Sequence, residues 1–276
     1  MAENGSAKAL PALEVVDEIG STNAELLARG RAGAPHGTAI RARVQTAGRG
    51  QRAHGWTSPE GGLYFSVLIR PQVPAAQLPG LPVACALGVL RALHEMGCVE
   101  AKLKWPNDVV VNGHKLAGIL TELGSSPEGS FAVCGIGLNI HAPQVPARGS
   151  AGAVALAPAG LMDILDADAP TIDLDTLASH IRFAVLDTVA SWQEGLAEGR
   201  VTAEAPSDAP LSTLVDAYNA RLAFLYEPMD VYAIDGDIVD SGVFAGVDVW
   251  GRATVLHEDA EPAVYDATAV SLRPAR

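Results

Sequence analysis

KWPNDVVVNGHKLAGIL, residues Lys104 to Leu120, encodes a hairpin. Val109, Val110 and Val111 on one side and Leu116, Ile119 and Leu120 on the other flank Asn112-Gly113, a dipeptide suited to the two positive φ angles of a tight type I′ turn. Such a hairpin fixes Lys104, Asn107, Asp108 and Lys115 on rigid backbone. The protein has only four lysines in 276 residues, and Lys102, Lys104 and Lys115 fall in or beside this stretch. In a chain of net charge −13, that clustering suits a site for an anionic ligand, although a solvated hairpin would show the same spacing.

Neighbouring motifs favour the site. From Leu26 to Pro59 there is no Asp or Glu, yet Arg29, Arg31, Arg41, Arg43, Arg49 and Arg52 all occur there. Within VQTAGRGQRAHGW, Val44 to Trp56, Gly48 and Gly50 permit strained turns and close approach, while Arg49 and Arg52 can fork onto phosphate or carboxylate oxygens. Trp56 is placed to cover a flat ring. Ser21-Thr22-Asn23 lies between an apolar strand, Val15 to Ile19, and a helical run through Ala24, Leu26, Leu27 and Ala28. Thr22 with Glu25 three residues later reads as a capping box, and a helix N-terminus also offers backbone donors to the polar head of a small molecule. VCGIGLNI, Val133 to Ile140, is an apolar strand interrupted by Gly135 and Gly137 and ending in Asn139. It lacks the third glycine of a dinucleotide fingerprint, so its glycines point to close approach by a ligand or another backbone.

Taken in order, STN, QTAGRG, KWPND, KLAGIL and GIGLN resemble the biotin protein ligases, from about Val15 to Asn139. The resemblance implies an α+β fold: a class II synthetase-like catalytic domain with a central mixed sheet flanked by helices, then a small SH3-like β-barrel. The expected division is a disordered start at 1–12, a catalytic domain at 13–225 and the barrel at 226–276. The tail agrees in pattern, since MDVYAI, IVDSGVFAGV, RATVLH and AVYDATAVSL are strand-like runs separated by turn signals such as Asp235-Gly236 and Trp250-Gly251.

The activity implied by the resemblance joins biotin to ATP as biotinyl-5′-AMP, then passes the biotinyl group to a lysine of a biotin carboxyl carrier protein domain. Lys115 matches the central catalytic lysine, with Arg49 supporting the same oxygens. Ser21, Thr22, Asn23, Gln45, Gly48, Arg49, Gly50, Gln51, Lys115 and Gly118 form the implied biotin set. Arg52, His54, Trp56, Lys104, Asn107, Asp108 and Asn139 form the ATP set, with Asp108 also the candidate for Mg²⁺. Gln51 and His54 stand where the usual loop has arginines. Lipoate or octanoyl transferases share the catalytic fold, but KWPND with a C-terminal barrel favours biotin. Members that repress transcription carry a winged helix ahead of the STN segment, and only about twenty residues precede Ser21, so no DNA partner is expected.

Composition fits a sizeable core with a small satellite, since 49% of the residues are hydrophobic. The apolar helix at Leu78 to Met96 contains Pro79, Pro82, Arg91, His94 and Glu95, which argues against a membrane span, and Met1 to Pro11 lacks a signal-peptide core. A cytoplasmic enzyme is expected. Cys85, Cys98 and Cys134 have no metal-ligand spacing and read as reduced core thiols. Leu174, Leu177, Ile181, Val185, Leu186, Val189 and Trp192 repeat at helical spacing, and Leu211 to Leu225 reads as a further helix. Pro143 to Ala169 reads as a loop with a turn near Leu161 to Leu165, and Gly199 to Pro210 as a connection.

Overall fold

The computed structural model of the chain describes residues 9–53, 55–143, 156–165, 172–200, 206, 208–258 and 260–275. The expected loop at Pro143 to Ala169, the connection at Gly199 to Pro210 and the start at 1–12 fall partly outside these residues, and His54 falls wholly outside.

The hairpin forms as its sequence requires. Asn112 and Gly113 have φ of 50° and 76° and join β5 (Asp108–Val111) to β6 (His114–Ser126). These strands lie in a seven-stranded mixed sheet of order β1-β2-β3-β7-β6-β5-β4, completed by β1 (Leu13–Ile19), β2 (Ala39–Gln45), β3 (Leu63–Ile69), β4 (Lys102–Lys104) and β7 (Gly129–Leu138). β1 and β2 run parallel, and α1 (Thr22–Arg31) makes the crossover between them; every other pair is antiparallel. All of β3 is buried, because both of its faces are covered. Phe65, Val67 and Ile69 join the large core beneath α2 (Leu81–Glu95) and α3 (Leu174–Ala197), while Leu68 packs on the other face with Leu26, Leu27 and Phe131 under α1. α3 buries Leu177, Ile181, Val185, Leu186, Val189 and Trp192, the face read from its spacing. An 18-residue part of Ala75–Glu95 has a mean hydropathy of 1.4, long and apolar enough for a bilayer span, but 67% of that part is buried inside the fold. All three cysteines are free and buried.

Two local readings are corrected. The N-cap of α1 is Ser21, whose hydroxyl accepts from Ala24 N, so Thr22 is the first helical residue and the Thr22/Glu25 box does not form. Tertiary bonds claim Thr22 instead, and Glu25 pairs with Arg29. The helix expected over Leu211 to Leu225 shrinks to α4 (Val215–Asn219). Backbone bonds to other elements take over on both sides of it: Leu211 N donates to Val249 O, and Leu103 exchanges bonds with Arg221 and Ala223.

Beyond Tyr226 the chain forms a five-stranded antiparallel sheet of order β11-β10-β9-β8-β12: β8 (Pro228–Ala233), β9 (Ile238–Val247), β10 (Ala253–Leu256), β11 (Ala263–Tyr265) and β12 (Val270–Pro274). Its inner residues Met229, Val231, Phe244, Val247, Val255 and Leu272 belong to the same hydrophobic cluster as Leu103 and Trp105.

Candidate active site

α1 is only ten residues long, so it covers part of its face of the sheet and leaves the rest open. That open area is floored by glycine. A Cβ on Gly135 would lie 2.0 Å from Asn23 Oδ1, and one on Gly137 or Gly118 would lie 2.4 or 2.7 Å from the Trp56 indole. The glycines of GIGLN and KLAGIL therefore let α1 and Trp56 lie directly on the sheet.

A β-bulge aims the lysine. Val109 pairs with Ala117 but Val110 pairs with Lys115, leaving Leu116 as the extra residue of β6. Leu116 and Ala117 consequently both enter the large core, and Lys115 turns to the open face, where its Nζ lies 2.7 Å from Asp108 Oδ1 and 5.2 Å from the Trp56 ring centre. Lys104, on β4 beside the strand of Asp108, is half-buried. Burial pulls its ammonium below the usual lysine value; Asp108 opposes this, while Lys115 and Arg273 push the same way.

At the other end is a buried polar chain. Gln45 Oε1 accepts from Thr22 N at 2.9 Å and lies 3.1 Å from the Thr22 hydroxyl, while Gln45 Nε2 donates to Ser58 Oγ at 2.9 Å. Ser66 Oγ lies 2.7 Å from Thr22 Oγ1 and 2.6 Å from Asn23 Oδ1. Two hydroxyl hydrogens thus serve three oxygen contacts, so the 3.1 Å approach is the weak one and Gln45 relies on the Thr22 amide. Asn23 Nδ2 donates to Leu120 O and to Glu122 Oε2, and the second Glu122 oxygen pairs with Arg49 Nη2 at 2.8 Å. Asn23 is therefore fixed from three sides.

One cleft of about 1030 Å³ brings together Ser21, Thr22, Asn23, Gln45, Arg49, Gly50, Gln51, Arg52, Trp56, Lys104, Asn107, Asp108, Lys115, Gly118 and Asn139. Of the residues named from sequence, His54 lies outside the described residues and Gly48 is not on the cleft wall. Gly48 is packed into the loop base instead, where a Cβ would lie 2.3 Å from Trp56 O. Arg52 lines the cleft, but its Nη2 donates to the carbonyls of Ala267, in the turn between β11 and β12, and Val270, at the start of β12. Asn107 and Asn139 hold the hairpin: Asn107 Nδ2 donates to Ile119 O and Asn139 Nδ2 to Lys115 O. Trp56 Nε1 is buried and has no hydrogen-bond partner among the described residues.

Sequence reasoning missed three contributions. Ser66 had a signal, a hydroxyl in the apolar run LYFSVLI. Glu122 had none. The wall from the second sheet, Tyr232, Ser271 and Arg273, is assembled only by the tertiary fold; there the Arg273 guanidinium stacks 4.9 Å from the Tyr232 ring centre.

Cations gather over a glycine floor, beside a buried polar pocket and between two sheets, an arrangement that can hold anionic groups next to a small polar ligand. Residues 17–139 match the Biotin/lipoate A/B protein ligase family. The chain is 33% identical over 250 residues to the biotin--[acetyl-CoA-carboxylase] ligase of Mycobacterium tuberculosis, covering 88% of this chain and 86% of that one. It is 34% identical to the ligase of the same name from Paracoccus denitrificans, covering 91% and 96%. The fold matches the Aquifex aeolicus biotin protein ligase in complex with biotin and ATP, with a TM-score of 0.73, 25% identity and coverage of 96% and 100%. Similarity to the bifunctional ligase/repressor BirA of Bacillus subtilis spans 39% of this chain and about a third (34%) of that protein. The chain belongs to the biotin protein ligase family.

Proposed function

We propose that this chain is a biotin--[acetyl-CoA-carboxylase] ligase that activates biotin with ATP in this cleft and transfers it to a carrier lysine. The observation that carries the reading is Lys115, turned by the bulge onto the glycine floor in the same cleft as Arg49. A biotin carboxylate oxygen attacks the α-phosphorus; the new P–O bond gives biotinyl-5′-AMP, and the bond to the leaving pyrophosphate breaks. A carrier lysine amine then attacks the acyl carbon, an amide forms, and AMP leaves. Both reactants of the first step are anions, so the chain must supply positive charge, and Lys115 with Arg49 supplies it where charge moves between carboxylate and α-phosphate. Each is prepaired with a carboxylate, Asp108 or Glu122, which holds it in place until a substrate anion takes over. Ser21, Thr22, Asn23 and Gln45 are assigned to biotin's ureido end, with the remaining hydrogens of Ser21 Oγ and Gln45 Nε2 as the donors. Gln51 is assigned to the loop over the intermediate, and Trp56, Asn107 and Asn139 to the nucleotide side.

Mg²⁺ suits this donor set in one form. No group of three or more His, Cys, Asp or Glu gathers among the described residues, so a protein cage is not available; an ion carried on ATP phosphates and touched by Asp108 fits. When bound, it would neutralise phosphate charge. The second sheet is assigned as an SH3-like module at 226–276, beside a catalytic domain at 13–225. Support comes from its five short antiparallel strands and from its edge strands, β11 and β12, being joined by a short turn. The proposed partner is the biotin carboxyl carrier domain of a carboxylase. A net charge of −13 weighs against a DNA partner, and the enzyme is assigned to the cytoplasm.

ATP–pyrophosphate exchange tests the activity: it should require biotin, and Lys115→Ala should slow it about a hundred- to a thousandfold with the fold intact. Exchange driven by lipoate or octanoate in place of biotin would reassign the substrate. Undiminished exchange in folded Lys115→Ala would remove that lysine from the mechanism.

A further inference from the structure

We infer that Arg52 is a positioning residue that latches the glycine-rich loop to the second sheet, so that two walls of the cleft hold the activated intermediate as one unit. The inference rests on the proposed ligase reading and adds to it a role for one side chain. Arg52 adopts φ 54° and ψ 40°, the left-handed region that non-glycine residues rarely occupy. Its chain chemistry offers no local reason for that conformation, since a glycine would adopt it more readily. The reason is at the other end of the side chain. Nη2 donates to Ala267 O, in the turn between β11 and β12, and to Val270 O, the first residue of β12. These acceptors are more than two hundred residues away in sequence.

The position of that turn gives the contact its consequence. β12 continues from Val270 into Ser271 and Arg273, and it pairs with β8 so that Val270 faces Ala233 and Ser271 faces Tyr232. Ser271, Arg273, Tyr232 and Ala233 all line the cleft. On the loop side, Arg49 and Gly50 precede Arg52 and Trp56 follows it, and these line the cleft too. A single guanidinium therefore joins the segment carrying Arg49 and Trp56 to the strand carrying Ser271 and Arg273. The acceptors are main-chain carbonyls, which neither titrate nor depend on side-chain identity, so the latch answers to the Arg52 side chain alone. Arginine suits this task because its terminal Nη2 carries two hydrogens, one for each carbonyl.

The test uses the full chain with Arg52→Ala, Arg52→Gly and Arg52→Lys. Glycine relieves the left-handed backbone while removing the latch, so it separates the two contributions. Amide hydrogen exchange is read without substrate in peptides covering the loop and the β11–β12 turn, and dissociation of preformed biotinyl-5′-AMP is read separately. The expected result is faster exchange in both segments in the alanine and glycine variants. Intermediate release should accelerate about tenfold, and lysine should restore part of the difference. Unchanged exchange in both segments overturns the latch, as does normal release from a glycine variant whose exchange has risen. A wild-type chain that forms no adenylate would defeat the ligase reading instead, and the exchange data would still decide the latch.

Discussion

Ser66 is fully buried in the middle of β3, and its hydroxyl is one of the links between the first turn of α1 and the sheet. Replacing it with alanine leaves the buried Asn23 Oδ1 without its donor, so Ser66→Ala should lower unfolding free energy by about 1–3 kcal/mol, the cost of an orphaned buried acceptor. Biotin binding should weaken as well, because Thr22 loses the neighbour that orients its hydroxyl. Urea denaturation and calorimetric titration check both outcomes, and unchanged values would mean that the pocket does not depend on Ser66. Individual residues were legible where chemistry was scarce. Lysine rationing exposed Lys115 and Lys104, and an acid-free window exposed Arg49. Glu122 was hidden because a glutamate on a strand is ordinary until the fold sets its two oxygens against Asn23 and Arg49.

At the scale of elements, the glycines of β7 are the points where other parts of the protein approach the sheet, and the two positions differ in what they meet. A methyl at Gly135 would run into an amide held by three partners, whereas a methyl at Gly137 meets an indole ring that has room to move toward the cleft. Gly135→Ala is therefore expected to destabilise the fold by about 1–3 kcal/mol, in the range of overpacked cores, and Gly137→Ala by less. The second variant should instead raise KM for biotin or ATP by shifting Trp56 over the floor. Thermal melts beside steady-state kinetics separate the two; equal melts would show that Asn23 yields as easily as Trp56. Periodicity made α3 readable, since it buries the face its spacing marks, while apolar composition marked α2 and the Asn112-Gly113 turn marked the hairpin. It could not show the bulge at Leu116, because strict alternation gives no hint of the extra residue that turns Lys115 to the open face. Nor could local pattern foresee that Leu211 to Leu225 would spend its backbone bonds on Val249 and Leu103, which leaves room for only a short α4.

For the molecule as a whole, the question is whether the two sheets stand or fall together. The tail's strands were readable from alternation and turn residues, but their docking was not, since it depends on residues distant in sequence. Trp105 of the KWPND segment is 4% exposed and donates through Nε1 to Gly251 O at 3.0 Å. Leu103 is bonded through its backbone to Arg221 and Ala223, which bring the chain to the second sheet. One hydrophobic cluster runs from β3 and α2 through Trp105 into β8, β9 and β12, with no polar layer dividing it. Unfolding should therefore be a single cooperative transition, with β6 and β9 losing protection at the same urea concentration in pulsed hydrogen exchange. Trp105→Phe removes one buried donor and leaves a void where the larger ring lay, so it should cost about 1–3 kcal/mol and shift both strands together. A β9 transition that moved to lower urea while β6 stayed in place would show that the second sheet has a stability of its own and that Trp105 merely docks it.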